Sequence, residues 1–373
     1  MAGAQAQVLS AAEISLWART EGLRVEDVEK ALWRDRSLVK VWCMRATTHV
    51  VPSADFAIFV RGCNGRAARD EAWWARIGDP LRRRVFGGRP RSVRSGRPLE
   101  AINRIVDAMA EAMERPLTRT ELADRVSDSL AITQTRRRID RGWGGQGEVT
   151  GFKIGDETFT VGGILSLACA RGEACSGPPR GNETTFVRPD AWLPGWRDMP
   201  VEDAEDELLR RYLRAHGPAT VSDFMRWTYV TAADARKTWG RVANELAQVI
   251  VEGRTAWALR TDVRDLQRST VDRPTVRLLP SFDSFLLGQI DKSHLVDAAQ
   301  YKRVYRAAGW LSPVVLVDGR VAGVWTHARD GGRLAVRVER FGALAAAIRS
   351  RIREEADDLG RFFGLPNVVV TFT

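Results

Sequence analysis

Cysteine and histidine are scarce in this chain, with four of each among 373 residues. Cys43, Cys63, Cys169 and Cys175 form no C-x-x-C pair, and none has a histidine at a zinc-ligand spacing. That gives no basis for a structural zinc or a disulfide framework, and buried thiols in a reducing compartment are the expectation. His49, His216, His294 and His327 stand apart without any H-E-x-x-H arrangement, so neither a metal nor another cofactor is expected. No apolar run approaches the roughly 18 residues that a membrane span needs. The opening residues, MAGAQAQVLSAAE, lack a basic stretch followed by an apolar one, so a cytoplasmic protein with no membrane partner is expected.

The composition, 44% hydrophobic and 28% charged, is that of a globular protein rather than a disordered, collagen-like or coiled-coil one. A length of 373 residues exceeds one ordinary core, which points to two to four domains. The net charge of +10 and pI near 10.0 are carried mostly by arginine. Such a surplus suits a polyanion, because each neutralised phosphate releases counterions. The same surplus also arises from a GC-rich codon bias, in which case the arginines are a solvated surface.

Local patterns divide the chain. Residues 10–20 (SAAEISLWART) read as a helix with Ser10 as N-cap, Glu13 at its third position and Ile14, Leu16 and Trp17 as an apolar stripe. VEDVEKALWRDR reads as a second helix, and the β-branched SLVKVWCMRATTHVV as a strand bent near Arg45. Residues 115–126 (RPLTRTELADRV) and 217–228 (GPATVSDFMRWT) form an internal repeat. Each starts a helix with a capping box, Thr118 with Glu121 and Thr220 with Asp223. Each follows another helix and precedes a further helical stretch and a strand pair. Helices followed by a hairpin make a winged helix, in which one helix enters a groove and the hairpin flanks it.

The expected class is therefore α+β: tandem winged-helix units at 1–77, 98–197 and 198–272, then a small β-rich domain, a partial barrel, at 273–373. Within that last part Asp318-Gly319 is a hairpin signal, and residues 342–359 read as the one late helix. Between the first two units, residues 78–97 are dense in Arg, Gly and Pro. They read as a solvated loop or as a phosphate-tracking segment, with Arg82, Arg83 and Arg84 as the contacts.

Several segments, GAQAQVLSAAEISLWAR, LVKVWCMRATTHVVPSADF, VRLLPSFDSFLLGQIDKS and PVVLVDGRVAGVW, carry a more specific signal. In order and across nearly the whole chain, they resemble the signature segments of the tandem winged-helix DNA glycosylases of the AlkZ and YcaQ type. The resemblance implies a metal-free, cofactor-free monomer, cytoplasmic and nucleoid-associated, that grips double-stranded DNA. It implies excision of bulky N-alkylated purines, unhooking of crosslinks, and in some members protection of a producer from its own DNA-alkylating product. A DNA-binding regulatory protein on the same scaffold, without catalysis, is the alternative.

The resemblance also implies a catalytic pair, Gln5 and Gln7, in the family's pattern of glutamine, apolar residue, glutamine. Uncharged groups suit this chemistry. An N7- or N3-alkylated purine already carries positive charge and leaves readily, so the protein has only to hold a water and favour an oxocarbenium-like sugar. Arg45, Thr47 and His49 alternate along their strand and are expected on one side of it, either as a polar wall near the lesion or the DNA backbone or with His49 as a hydrogen-bonded residue at a domain edge. Against the family's R-G-T-x-H, Ala46 and Thr48 depart while Thr47 and His49 match. Asp283 is expected to cap a turn or to orient groups near the glutamines, and Lys292 to contact phosphate. Relatives of this type carry a further helix ahead of the glutamines. With Met1 four residues before Gln5, either the true start lies upstream or the chain lacks that helix, in which case the pair is expected to sit on a fraying end.

Overall fold

The computed structural model describes residues 1–65, 97–140, 146–154, 157–270 and 274–373. Two compact units emerge: Met1–Ala31 with Leu209–Thr373, and Leu32–Leu208.

In the first unit, the Leu9–Trp17 helix starts earlier than the Ser10 cap implied; Val8 is its N-cap and offers no capping side chain. From Leu209, within the long Val201–His216 helix, the unit continues into helices Val221–Thr228 and Ala232–Val242, and the hairpin Leu246–Val251 and Arg254–Leu259 follows them. Thr220 and Asp223 form the expected box. Thr220 N donates to Asp223 Oδ2 at 2.9 Å, and Asp223 N donates to Thr220 Oγ1 at 3.2 Å. The other oxygen of Asp223 accepts from Ile290 N at 2.8 Å, so the cap also ties this helix to the 288–293 stretch. Ala219 and Trp257 exchange backbone hydrogen bonds at 2.9 Å, pinning the hairpin to the turn before that helix. Tyr212, Phe224, Trp227 and Trp239 fill the space between the helices, with Tyr212 and Trp227 ring centres 5.1 Å apart.

The C-terminal part of this unit is a five-stranded sheet in the order Val276–Leu279, Val314–Val317, Arg320–Asp330, Arg333–Arg340, Asn367–Phe372. All pairings are antiparallel except the last, which is parallel and is bridged by the Ala346–Phe362 helix. The turn at Asp318-Gly319 has both residues at positive φ, 48° and 80°, which gives a tight hairpin the twist that its strands need. The helix packs on both outer strands of the sheet. Five strands span about 19 Å edge to edge at their usual spacing, wider than a helix of about 10–12 Å, so the sheet curls around it.

In the second unit, Leu38–Trp42 and Thr48–Pro52 are two antiparallel strands, not one bent strand. Arg45 and Ala46 at φ 53° and 55° turn the chain between them. The helices Arg97–Ala112, Arg119–Leu130 and Val161–Ala170 enclose a core that includes Ile105, Met109, Leu122, Phe152 and Ile164. Thr118 and Glu121 close the other capping box, at 2.8 and 3.3 Å. A three-stranded meander, Thr133–Asp140, Gln146–Ile154 and Glu157–Thr160, precedes the third of these helices. The sequence pattern does not reveal it. The expected strand pair follows at Cys175–Arg180 and Glu183–Val187.

Removing a capping side chain leaves helix N–H groups without their partner. Thr220→Ala is expected to destabilise the chain by about 1 kcal/mol, read as a lower urea midpoint at unchanged slope. An unshifted midpoint would show that the box contributes nothing in solution.

Candidate active site

The glutamine segment is built from small residues. Ala2, Ala4 and Ala6 are all but inaccessible, and Gly3 takes φ 82°, which favours glycine. Gln5 is buried at 7% exposure, whereas Gln7 is exposed. Gln5 Nε2 donates to Gln7 Oε1 at 3.2 Å, so the interior amide orients the exterior one. The expected fraying end is therefore corrected. Alanine and glycine side chains let this stretch pack closely, and its backbone is buried through residue 6. The Leu9–Trp17 helix begins immediately after the pair and packs against residues 4–5.

Asp283 lies within the same unit. Its carboxylate is 1% exposed and receives four donors. Arg19 Nη2 donates to Oδ1 at 2.6 Å and Arg19 Nη1 to Oδ2 at 2.8 Å, a bidentate pair; Ser15 Oγ also donates to Oδ2, and Phe285 N to Oδ1 at 2.9 Å. Asp283 thus caps the short Ser284–Leu287 turn and holds the end of the N-terminal helix at once. Trp17 adds a second tie, its Nε1 donating to Asp358 Oδ2 at 2.9 Å and its ring lying 6.3 Å from Phe362. Lys292 donates to the Gln289 carbonyl and lies 5.6 Å over the Tyr305 ring, which leaves its ammonium already engaged.

In the second unit, the expected alternation of Arg45, Thr47 and His49 does not form, because Arg45 is in the turn rather than on the strand. The tight turn nonetheless brings Arg45 Nη2 to 3.0 Å from His49 Nε2. Arginine can only donate, so Nε2 accepts and the ring proton is on Nδ1, which donates to the Thr47 carbonyl at 3.2 Å. The Thr47 hydroxyl turns back to the Met44 carbonyl at 3.1 Å. Burial, reinforced by the Arg45 charge, holds the His49 imidazole well below its ordinary value of 6.5, so the ring is neutral at pH 7.

The four cysteines are free. Burial pushes Cys43 and Cys169 up to about 12 and raises Cys63 and Cys175 as well, which leaves them unreactive. A cavity of about 670 Å³ in this unit is lined by Arg61, Arg171 and Arg188 against Glu111, Glu173 and Asp190. With three charges of each sign and no glutamine, it lacks the chemistry of the pair. No group of three or more His, Cys, Asp or Glu that could hold a metal occurs among the described residues, nor does a helix long and apolar enough to cross a membrane. Arg82, Arg83 and Arg84 lie outside the described residues.

The model of the family described as "DNA glycosylase AlkZ-like" matches residues 1–362. The chain belongs to this family. The AlkZ-like chain is 33% identical over 331 residues to an interstrand DNA cross-link repair glycosylase of Streptomyces sahachiroi, covering 87% of this chain and 80% of that protein. The solved structure of the DNA glycosylase AlkZ from the same organism is similar to it at a TM-score of 0.76 and 28% identity. That match covers 100% of this chain and 91% of the other.

Sequence reasoning missed Ser15 and Arg19 in this AlkZ-like chain. Within the helix expected over residues 10–20 their spacing of four would put both on one face, a visible signal, but nothing nearby in sequence names the carboxylate they serve.

His49 gives a pH signature. Between its depressed value and the unfolded value of about 6.5, the unfolded chain takes up a proton that the folded chain does not. Its contribution to stability is therefore complete above about pH 6.5 and declines as the pH falls below it. Melting temperatures from pH 7.5 to 5 should fall less steeply for His49→Gln than for the parent chain. Parallel profiles would mean that His49 titrates in the folded chain as it does in the unfolded one.

Proposed function

We propose that this chain hydrolyses the N-glycosidic bond of bulky N-alkylated purines in double-stranded DNA, and so unhooks crosslinks, with Gln5 and Gln7 as the catalytic pair. The observation that carries this reading is the division between the two amides. Gln5, buried, spends a donor on Gln7, and Gln7, an exposed residue, has a second lone pair on Oε1 and an NH₂ group of its own.

In the reaction, the bond from C1′ to the purine nitrogen breaks and its electron pair neutralises the positive charge of the alkylated base. The sugar is left as an oxocarbenium ion. A water accepted by Gln7 Oε1 attacks C1′ and loses its proton to solvent. Because the leaving group carries the positive charge, no strong general acid is needed. Positioning of the water is the protein's main contribution.

This reading keeps the chain as winged-helix segments at 1–77, 98–197 and 198–272, a linker at 78–97 and a β-rich domain at 273–373, acting as a monomer on DNA. Support comes from residues 201–259, where three helices precede a hairpin pinned by the Ala219–Trp257 exchange. In a winged helix the third helix faces the groove. Here that is Ala232–Val242, on which Arg236 and Lys237 are exposed.

Gln5→Ala and Gln7→Ala are each expected to slow release of free base from an N7-alkylguanine duplex by about ten- to a thousand-fold, with duplex affinity nearly unchanged. Base release at the parental rate in both variants would remove the pair from catalysis.

Duplex binding should also weaken by orders of magnitude between about 50 and 200 mM salt. Replacing Arg236 and Lys237 together by alanine should reduce the slope of log affinity on log salt by about two. A flat salt response would contradict duplex DNA as the partner. Replacing Arg82, Arg83 and Arg84 tests the phosphate-tracking reading of the linker in the same titration.

A further inference from the structure

We infer that Asp283, with Ser15 and Arg19, is a positioning device for the glutamine pair, a role that rests on the reading of Gln5 and Gln7 as catalytic. The Leu9–Trp17 helix follows Gln7 with only Val8 between, so wherever that helix is held, the glutamines are held. Ser15 lies in its last turn and Arg19 just beyond its end, and both donate to the one carboxylate. Arg19 Nη1 also donates to the Ser15 carbonyl at 2.9 Å, which locks the guanidinium to the helix end that it anchors.

The other end of the segment is in the same neighbourhood. Met1 lies within electrostatic reach of Asp283, Arg19 and Arg211. The glutamines thus lie between Met1, whose ammonium feels the Asp283 charge, and the helix end that Asp283 holds. The carboxylate itself cannot swing, because Phe285 N and the positive-φ turn at Phe282 set its place at the head of the Ser284–Leu287 turn.

Such an arrangement acts on geometry rather than on the reacting atoms. Gln7 is an exposed, flexible side chain whose direction is set by Gln5, and Gln5 is set by the buried backbone that the carboxylate clamps at the helix end. A displacement near 1 Å in a positioning group costs about a hundred-fold in rate. Asn in place of Asp283 keeps the shape and one acceptor but loses the charge that matches the guanidinium fork. Lys in place of Arg19 keeps the charge and loses the fork.

The test uses the full chain and a duplex carrying one N7-alkylguanine, with single-turnover rates at saturating protein measured apart from duplex Kd. Ser15→Ala, Arg19→Lys and Asp283→Asn should each slow base release about ten-fold or more and leave Kd within about two-fold. In a Gln7→Ala background, Asp283→Asn should slow the reaction no further, because a residue that acts through the glutamine has nothing left to act on. Multiplied losses in the double variant would overturn the inference and assign Asp283 a general structural role. So would parental rates in Ser15→Ala and Asp283→Asn while Gln7→Ala is slow. Should Asp283→Asn not fold, Ser15→Ala, which removes one hydroxyl, supplies both the single and the double comparison. Parental rates in Gln5→Ala and Gln7→Ala themselves overturn the catalytic reading first, an outcome distinct from the others.

Discussion

A single buried carboxylate ties the N-terminal helix to a turn more than 260 residues further along the chain. Asp283 is separated from Ser15 by 268 residues and from Arg19 by 264, yet it takes three side-chain donors from them. A carboxylate with 1% exposure is costly to remove from water unless its lone pairs are filled, and here each oxygen has two donors. That satisfaction holds the end of the N-terminal helix and caps the turn that begins at Ser284. Trp17, reaching Asp358 and Phe362, extends the same docking to the helix that the C-terminal sheet wraps.

The chemistry that this scaffold suits is undemanding in one respect and exacting in another. A cationic purine leaves without a strong acid, and the pair consists of neutral amides. What the proposed reaction requires is a water held at one place and angle, which flexible glutamines would supply only from an immobile backbone. A segment of alanine and glycine, packed with almost no exposed surface, provides that immobility without bulky side chains. His49, in another of the signature segments, is kept neutral by burial and by Arg45, so it contributes a fixed hydrogen-bond pattern rather than a charge at pH 7.

Much of this was legible in the sequence wherever the signal was local. Both capping boxes, the Asp318-Gly319 hairpin, the β-rich character of residues 273–373 and the late helix depend on residues within a few positions of each other. The capping role of Asp283 was legible for the same reason, since it accepts from Phe285 two residues on. The failures have local and non-local causes. Arg45 and Ala46 adopt positive φ, which neither residue type announces, so a hairpin reads as one strand. The Thr133–Thr160 meander carries arginines at 136–138 in place of an apolar alternation, and its strands are hidden among charges. Ser15 and Arg19 could not be assigned because their partner lies more than 260 residues away.

The most direct test of the account is to incubate the chain with a duplex bearing one N7-alkylguanine and to analyse base and strand separately. The account predicts free alkylguanine and an intact strand with an abasic site, formed in equal amounts, because water attacks C1′ and no lysine adduct forms on the way. Tight, salt-sensitive binding of the same duplex with no base released would contradict it.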